Sequence, residues 1–408
     1  MSKREDALII SIVGAAHATS HFMQLAMAPL LPLMKDDFGV SYAALGIVLM
    51  MFFAFSALPQ PFAGFIVDRY GGRNVLIAGV TVQVAGMLLS AVAPSFGMLL
   101  AGSFLTGLGN SVFHPADFAI LNARVAQSRL GLAFSAHGIA GALGFAAAPF
   151  FTGTLGGLFG WRTALLAVAG VSFAILVVLL LNTRRLHAAP SVHATRRAPL
   201  HAARVLLTLP VVMCFLYFAI YAAGLAGLQG FSVAAMALQY GVTATFAAVA
   251  LASYMVGSAS GMVAGGFIST RTSRHDRVAA SGLTGSAASM LLVASGALPA
   301  EALPAALAFA GFSVGATAPS RDLIVRASTP PGATGRVYGF VYSGLDVGSL
   351  ATPVFFGWLM DHALPQAVFY AVFAFTALAV LTVLSLPGSA SNPRTPVRMG
   401  IREKGGFP

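Results

Sequence analysis

Six polar side chains recur at helical spacing inside apolar stretches of the chain. His17, His21 and Gln24 stand at i, i+4 and i+7, and Asn110, His114 and Asp117 repeat the pattern, so each trio would share one helix face. Imidazole and carboxylate groups on such faces can hydrogen-bond a solute or relay protons. His137, among small residues in a further apolar stretch, could join that relay. Later in the chain Arg321 and Asp322 are adjacent, and Asp346 follows Tyr342 by one helical turn. A guanidinium can grip a carboxylate or phosphonate through two parallel hydrogen bonds, or it can neutralise Asp117 or Asp346. A carboxylate within an apolar helix is a natural group for taking up and releasing a proton. Tyr221 would add a hydroxyl. His17 and His21 also have the spacing of metal ligands, but neither a cysteine nor a carboxylate accompanies them in that stretch, and no bound metal is expected.

Such groups need apolar helices to hold them, and the composition supplies these. Of 408 residues, 58% are hydrophobic and 9% charged, against about 25% charged in soluble domains. The apolar residues fall in long blocks, the pattern that a lipid solvent selects. Twelve blocks qualify as spans, at roughly 7–33, 42–66, 74–93, 97–121, 131–155, 162–182, 205–229, 242–268, 278–297, 303–325, 336–360 and 366–387. Each has about 20 residues or more, enough to cross a hydrocarbon core of about 30 Å. The first block is too long for the core of a signal peptide and is read as a retained span. Turn signals separate the blocks, among them Lys35-Asp36-Asp37-Phe38-Gly39 and Asp361-His362-Ala363-Leu364-Pro365.

The net charge of +11 invites a nucleic-acid partner, but the basic residues cluster between the apolar blocks and form no basic face with interleaved aromatics. They report topology instead. With both termini cytoplasmic, all of the 23 basic residues except Lys35, Arg162 and Arg321 lie on the inner side. The expected location is a bacterial inner membrane, crossed many times. The lone Cys214 can make no intrachain disulfide. The lysines, Lys3, Lys35 and Lys404, fit no P-loop, which excludes ATP-driven pumping. Gly311-Phe312-Ser313-Val314-Gly315 matches a hydrolase pattern, yet it lies inside a span with no strand before it. Neither enzymatic activity nor a cofactor is expected.

The hydrophilic segment 183–204 divides the chain into an N-terminal bundle, 1–182, and a C-terminal bundle, 205–387, followed by a cytoplasmic tail, 388–408. The two bundles are repeats. Gly39-Val40-Ser41 matches Gly241-Val242-Thr243, and at the same offset of 202 Gly64 falls on Gly266 and Arg69 on Arg271. Later, at an offset of 204, Gly107, Pro115, Gly144, Pro149 and Gly153 fall on Gly311, Pro319, Gly348, Pro353 and Gly357. An even number of spans per repeat gives both the same orientation. The expected fold is therefore an all-α membrane protein, with twelve transmembrane helices in two pseudo-symmetric six-helix bundles.

Between the second and third spans the chain reads Gly64-Phe65-Ile66-Val67-Asp68-Arg69-Tyr70-Gly71-Gly72-Arg73. This resembles the signature of the major facilitator superfamily. The resemblance implies alternating access between two bundles, with Gly64, Asp68, Arg69, Gly71 and Arg73 as a gating motif at the cytoplasmic face. Asp68 would cap the next helix or pair across the halves. Ala16-His17, Gln60-Pro61, Ser111-Val112-Phe113-His114-Pro115, Gly131-Leu132-Ala133 and Gly141-Ala142-Leu143-Gly144 resemble the fosmidomycin resistance branch, mainly over the first half. The acid that follows Phe-His-Pro directly in that branch stands one place later here, at Asp117.

The expected function is secondary active transport of a small organic solute, an organic anion given Arg321, by alternating access with proton coupling. The alternative, implied by the branch, is proton-antiport efflux of a drug-like compound. His17, His21, Gln24, Asn110, His114, Tyr221, Arg321 and Tyr342 are the expected solute contacts. Asp346, Asp117, Asp322 and His137 are the expected proton carriers. Asp117 and Arg321 are repeat equivalents at the offset of 204, and they are expected to approach when the cytoplasmic side is closed and part when it opens. The partners expected are the solute, protons and membrane lipid, for a monomer that binds no nucleic acid.

Overall fold

A computed structural model describes residues 3–187, 204–329 and 334–385. The linker from 188 to 203 and the tail 388–408 lie outside the described residues. Among those described there is no strand. The first half runs α1 (Lys3–Leu25), α2 (Leu31–Phe38), α3 (Tyr42–Ala57), α4 (Gln60–Tyr70), α5 (Gly72–Ala91), α6 (Phe96–Asn110), α7 (Phe113–Arg124), α8 (Leu130–Phe159) and α9 (Trp161–Leu181). The second runs α10 (Leu209–Tyr240), α11 (Ala244–Arg271), α12 (His275–Ala294), α13 (Leu303–Gly315), α14 (Ala318–Ala327), α15 (Thr334–Ala351), α16 (Pro353–Asp361) and α17 (Pro365–Leu384).

Among the described residues, ten helices or joined helix pairs are long and apolar enough to cross a membrane. The two other expected spans, 42–66 and 336–360, are the pairs α3–α4 and α15–α16, broken just before Pro59–Gln60 and at Thr352. Proline donates no hydrogen bond and crowds the preceding turn, so each pair bends there. The repeat Gly-Val-Ser/Thr forms one corner twice. Gly39 and Gly241 take φ of 62° and 66°, the left-handed conformation that ends a helix. Ser41 Oγ then accepts from the Ala44 N–H at 3.0 Å and Thr243 Oγ1 from the Phe246 N–H at 3.2 Å, each capping the next helix.

Within the halves α1 packs along α8, and α10 packs the same way along α15. Gly144 and Gly348 permit it. A Cβ on either would run into a backbone carbonyl, that of Ala18 or of Ala219. Between the halves the main contacts are α8 with α11 and α3 with α16, and α3 also touches α15. They gather at the end that carries the two capped corners. One core there draws on both halves, with Leu30, Leu45, Phe231, Ala248 and Phe356 among its buried members. At the opposite end, nearer the termini, the cores are separate. Ile9, Leu76 and Ile120 belong to one, Phe218, Leu283 and Val325 to the other. Among the described residues the halves are thus joined at one end and apart at the other.

A polar contact adds to the joined end. Asp361, at the last residue of α16, accepts from the Tyr42 N–H at 2.6 Å and the Ala43 N–H at 2.8 Å. The second half so caps the first turn of α3 in the other half. On the far side of the same end, Thr245 Oγ1 donates to the Gly153 carbonyl at 3.2 Å.

Candidate functional site

The structure gathers four histidines from three helices of the first half, α1, α7 and α8. His17 and His21 come from α1, one turn apart. Their Nε2 atoms lie 3.1 Å from each other. His17 Nδ1 meets the His137 carbonyl oxygen at 2.8 Å, across 120 residues of chain, and His21 Nδ1 meets Gln24 Oε1 at 3.1 Å. The His137 ring stacks on His17 at 3.6 Å between centroids, and the His114 ring stands 5.2 Å from His17. His137 Nε2 is 3.0 Å from Asp117 Oδ2. Glycine makes room for this crowding, since a Cβ on Gly141 of α8 would lie 2.7 Å from both His17 Cε1 and His21 Cδ2.

The spacing of Asn110, His114 and Asp117 does not produce one continuous face, because the helix breaks at Ser111–Val112 between α6 and α7. His114 is half-buried beside α1, and Asp117 is fully buried beneath His137. Asn110 is tied into the bundle. Its Oδ1 accepts from Ser20 Oγ and Gln83 Nε2, both at 3.0 Å, and its Nδ2 donates to Ser56 Oγ at 2.8 Å. That amide ties α1, α3, α5 and α6 together, as buried polar groups in membrane bundles do. Gln83, Ser20 and Ser56 carry no ionisable group that would single them out along the chain, and only their meeting at Asn110 marks them.

The second half carries a different cluster at the equivalent place. Ala18 and Ala219 receive the equivalent glycines, so Phe218 stands where His17 stands in the first half. Arg321 lies over the Phe218 ring, 4.6 Å from its centroid, and its Nε donates to Asp322 Oδ1 at 3.2 Å. The Tyr342 hydroxyl donates to the same oxygen at 2.8 Å. The two terminal nitrogens of Arg321 have no hydrogen-bond partner among the described residues. Tyr221 stacks parallel to Tyr217 at 6.3 Å. Asp346 is half-buried on α15 and makes no ion pair or hydrogen bond among the described residues. Asp117 and Arg321 are not paired in this arrangement. Each is held by partners inside its own half.

Of the motif residues, Gly71 joins α4 to α5 at φ 82°, a conformation glycine accepts without strain. Arg73 Nε donates to Asn74 Oδ1 at 2.9 Å, and Arg69 lies over the Tyr70 ring. The Asp68 side chain is outside those described. A Cβ on Gly64 would meet nothing within 4 Å. The same holds for its repeat Gly266 and for Gly131 and Gly138, all toward the end where the halves are apart. Asp361 was legible only as part of a turn, since nothing local marks the helix it caps.

An apolar groove of about 760 Å³ opens between the halves, lined by Leu143 and Phe150 of α8, Val249 and Val256 of α11, and Phe309 and Phe312 of α13.

Comparison with known proteins agrees with this architecture. The family model of the Major Facilitator Superfamily matches residues 12–234 and 220–403. The Fosmidomycin resistance protein of Escherichia coli (strain K12) is 25% identical over 387 residues, covering 93% of this chain and 92% of that protein. The 4-hydroxybenzoate transporter PcaK of Pseudomonas aeruginosa is 33% identical over 158 residues, 38% of this chain and 35% of its own. Among solved structures, a bacterial homolog to the human lysosomal transporter Spinster, inward-facing and unoccupied, superimposes with a TM-score of 0.77 at 17% identity, covering 94% of this chain and 96% of that one. With the family model spanning both helix bundles, the chain belongs to the major facilitator superfamily of membrane transporters.

Proposed function

We propose that this protein moves a small organic anion across a bacterial inner membrane by alternating access, coupled to protons and with both termini cytoplasmic. The observation that carries the anion reading is Arg321. Its guanidinium is backed by Phe218 and Asp322, while the fork of its terminal nitrogens is left without a partner among the described residues. That fork matches a carboxylate or phosphonate. A thermal-shift series on the purified chain tests it. An anion at about 100 times its Kd should stabilise the fold by about 2.7 kcal/mol, and Arg321→Gln should remove that gain. Equal stabilisation by organic cations, or an effect that survives Arg321→Gln, would reject the anion. In that case efflux of a drug-like compound becomes the better reading, which the full-length likeness to the fosmidomycin resistance protein and the apolar groove both favour.

Alternating access is supported by the one-ended join and by the glycines with empty space beside them. Close helix contact needs small residues, and Gly64, Gly131, Gly138 and Gly266 have no such contact here. Their contact belongs to the state in which this end closes. Gly138→Leu should therefore fold with an unchanged melting midpoint, bind solute, and lose transport. Full transport activity in Gly138→Leu would count against this role.

In the proposed topology this structure is open to the cytoplasm. Single cysteines at Ser95 and Ser273, in a Cys214→Ser background, check the orientation. Ser95 should react with an impermeant maleimide on intact cells and Ser273 only after permeabilisation. The opposite pattern would invert the topology.

A further inference from the structure

The hydrogen bonds around His17 and His21 bear on which ring nitrogens carry hydrogen. A carbonyl oxygen can only accept, so His17 Nδ1, 2.8 Å from the His137 carbonyl, must be the N–H. With the Gln24 carboxamide turned to present Oε1, as it stands here, His21 Nδ1 is an N–H as well. A neutral imidazole has one N–H. Both Nε2 atoms are therefore bare lone pairs, and they face each other at 3.1 Å. In that arrangement the space between the two lone pairs suits an electrophile, a proton or a metal ion.

A third imidazole decides between the two. The ring of His114, from α7, has no hydrogen-bond partner among the described residues, and its ligand atom lies within 4.8 Å of those of His17 and His21. A shared proton needs two nitrogens; a tetrahedral metal uses three and leaves a fourth position open. Metal–nitrogen bonds of about 2.0–2.1 Å place neighbouring nitrogens about 3.3 Å apart, so the His17–His21 pair is already at ligand spacing and half-buried His114 has to swing in. The outer contacts also fit. Metal-binding histidines donate their second N–H to a carbonyl or carboxylate, which orients the ring, as His17 does to His137 and His21 to Gln24. Negative charge is at hand in Asp117, fully buried one imidazole away, with its Oδ1 lacking a partner among the described residues.

We infer that His17, His21 and His114 form a binding site for a divalent transition-metal ion of the zinc, cobalt or nickel type, with its fourth position open to water or to a donor atom of the carried solute. The site stands on the first half alone, so it is independent of the anion assigned to Arg321. Three neutral imidazoles favour such borderline ions over magnesium or calcium, which prefer oxygen ligands.

The test uses the full chain in detergent, with any polyhistidine tag removed, stripped with chelator and then dialysed against Co²⁺. Wild type should retain about one Co²⁺ per chain with the intense visible bands of four-coordinate cobalt, and Zn²⁺ should displace it. His21→Ala and His114→Ala should each weaken retention about 100-fold, and Gln24→Leu about tenfold, since it only orients His21. His362→Ala, an exposed histidine elsewhere, should change nothing. If His17→Ala does not fold, His114→Ala and Gln24→Leu still decide. No retained metal would mean an ordinary hydrogen bond between the two nitrogens, and the site would be rejected. Retention undiminished in His114→Ala would reject it equally.

Discussion

Asp346→Asn should abolish accumulation of the solute against its gradient while leaving solute binding in place. Asp346 is half-buried in α15 and makes no ion pair among the described residues, and Arg321 bonds Asp322 instead. A charge within a membrane helix costs about 2.5–3.5 kcal/mol on insertion scales. A carboxylate without a counter-ion among the described residues at that cost has a use, and exchange of a proton is the use that chemistry offers. Asparagine keeps the shape but cannot carry the proton. A gradient of one pH unit is worth about 1.4 kcal/mol, or about tenfold accumulation per proton. In proteoliposomes wild type should approach that factor, and the variant should settle at equal concentrations on both sides. The variant should also melt no lower than wild type, because an unpaired charge has been removed. An Asn variant whose accumulation still follows the pH gradient would sink the assignment.

Asp361→Ala should loosen the joined end. The carboxylate caps two N–H groups at the start of α3, at 2.6 and 2.8 Å, where the helix dipole also favours negative charge. The contact exists only while α16 touches α3, so it stabilises one arrangement of the halves and not the other. Cap removal costs about 0.5–2 kcal/mol, and Asp361 is solvent-exposed, which keeps the value from rising above that range. A loss of 1–2 kcal/mol shifts a two-state equilibrium about 5–30-fold. Spin labels at Ser95 and Glu301, one in each half at the joined end, should report the long-distance population rising by that factor. Asp361→Asn, which keeps one acceptor, should fall between. Identical distance distributions in all three proteins would show that the cap does not set the equilibrium.

Much of the fold was written in local pattern. Apolar block length fixed where helices could lie, because lipid leaves each backbone group to be bonded within its own helix. The repeated Gly-Val-Ser/Thr and the glycines at offset 204 announced two similar bundles, and the structure shows the reason at Gly39 and Gly241 and at Gly144 and Gly348. Helical spacing put His17, His21 and Gln24 on one face, where they stand. The same rule misled for Asn110, because it assumes an unbroken helix and α6 ends there.

What the tertiary structure alone decided is which faces meet. His114 beside His17, His137 stacked on it, and Asp117 beneath His137 join residues from three helices, and no local spacing encodes such neighbours. Arg321 had several candidate acids in sequence, and packing over Phe218 assigned it to Asp322. Asp361 caps a helix 319 residues away. Hydrophobic periodicity is a property of one helix and its solvent, so it was legible from the chain. Partnership between helices depends on crossing geometry and on where glycine lets backbones touch, and that exists only once the bundles have formed.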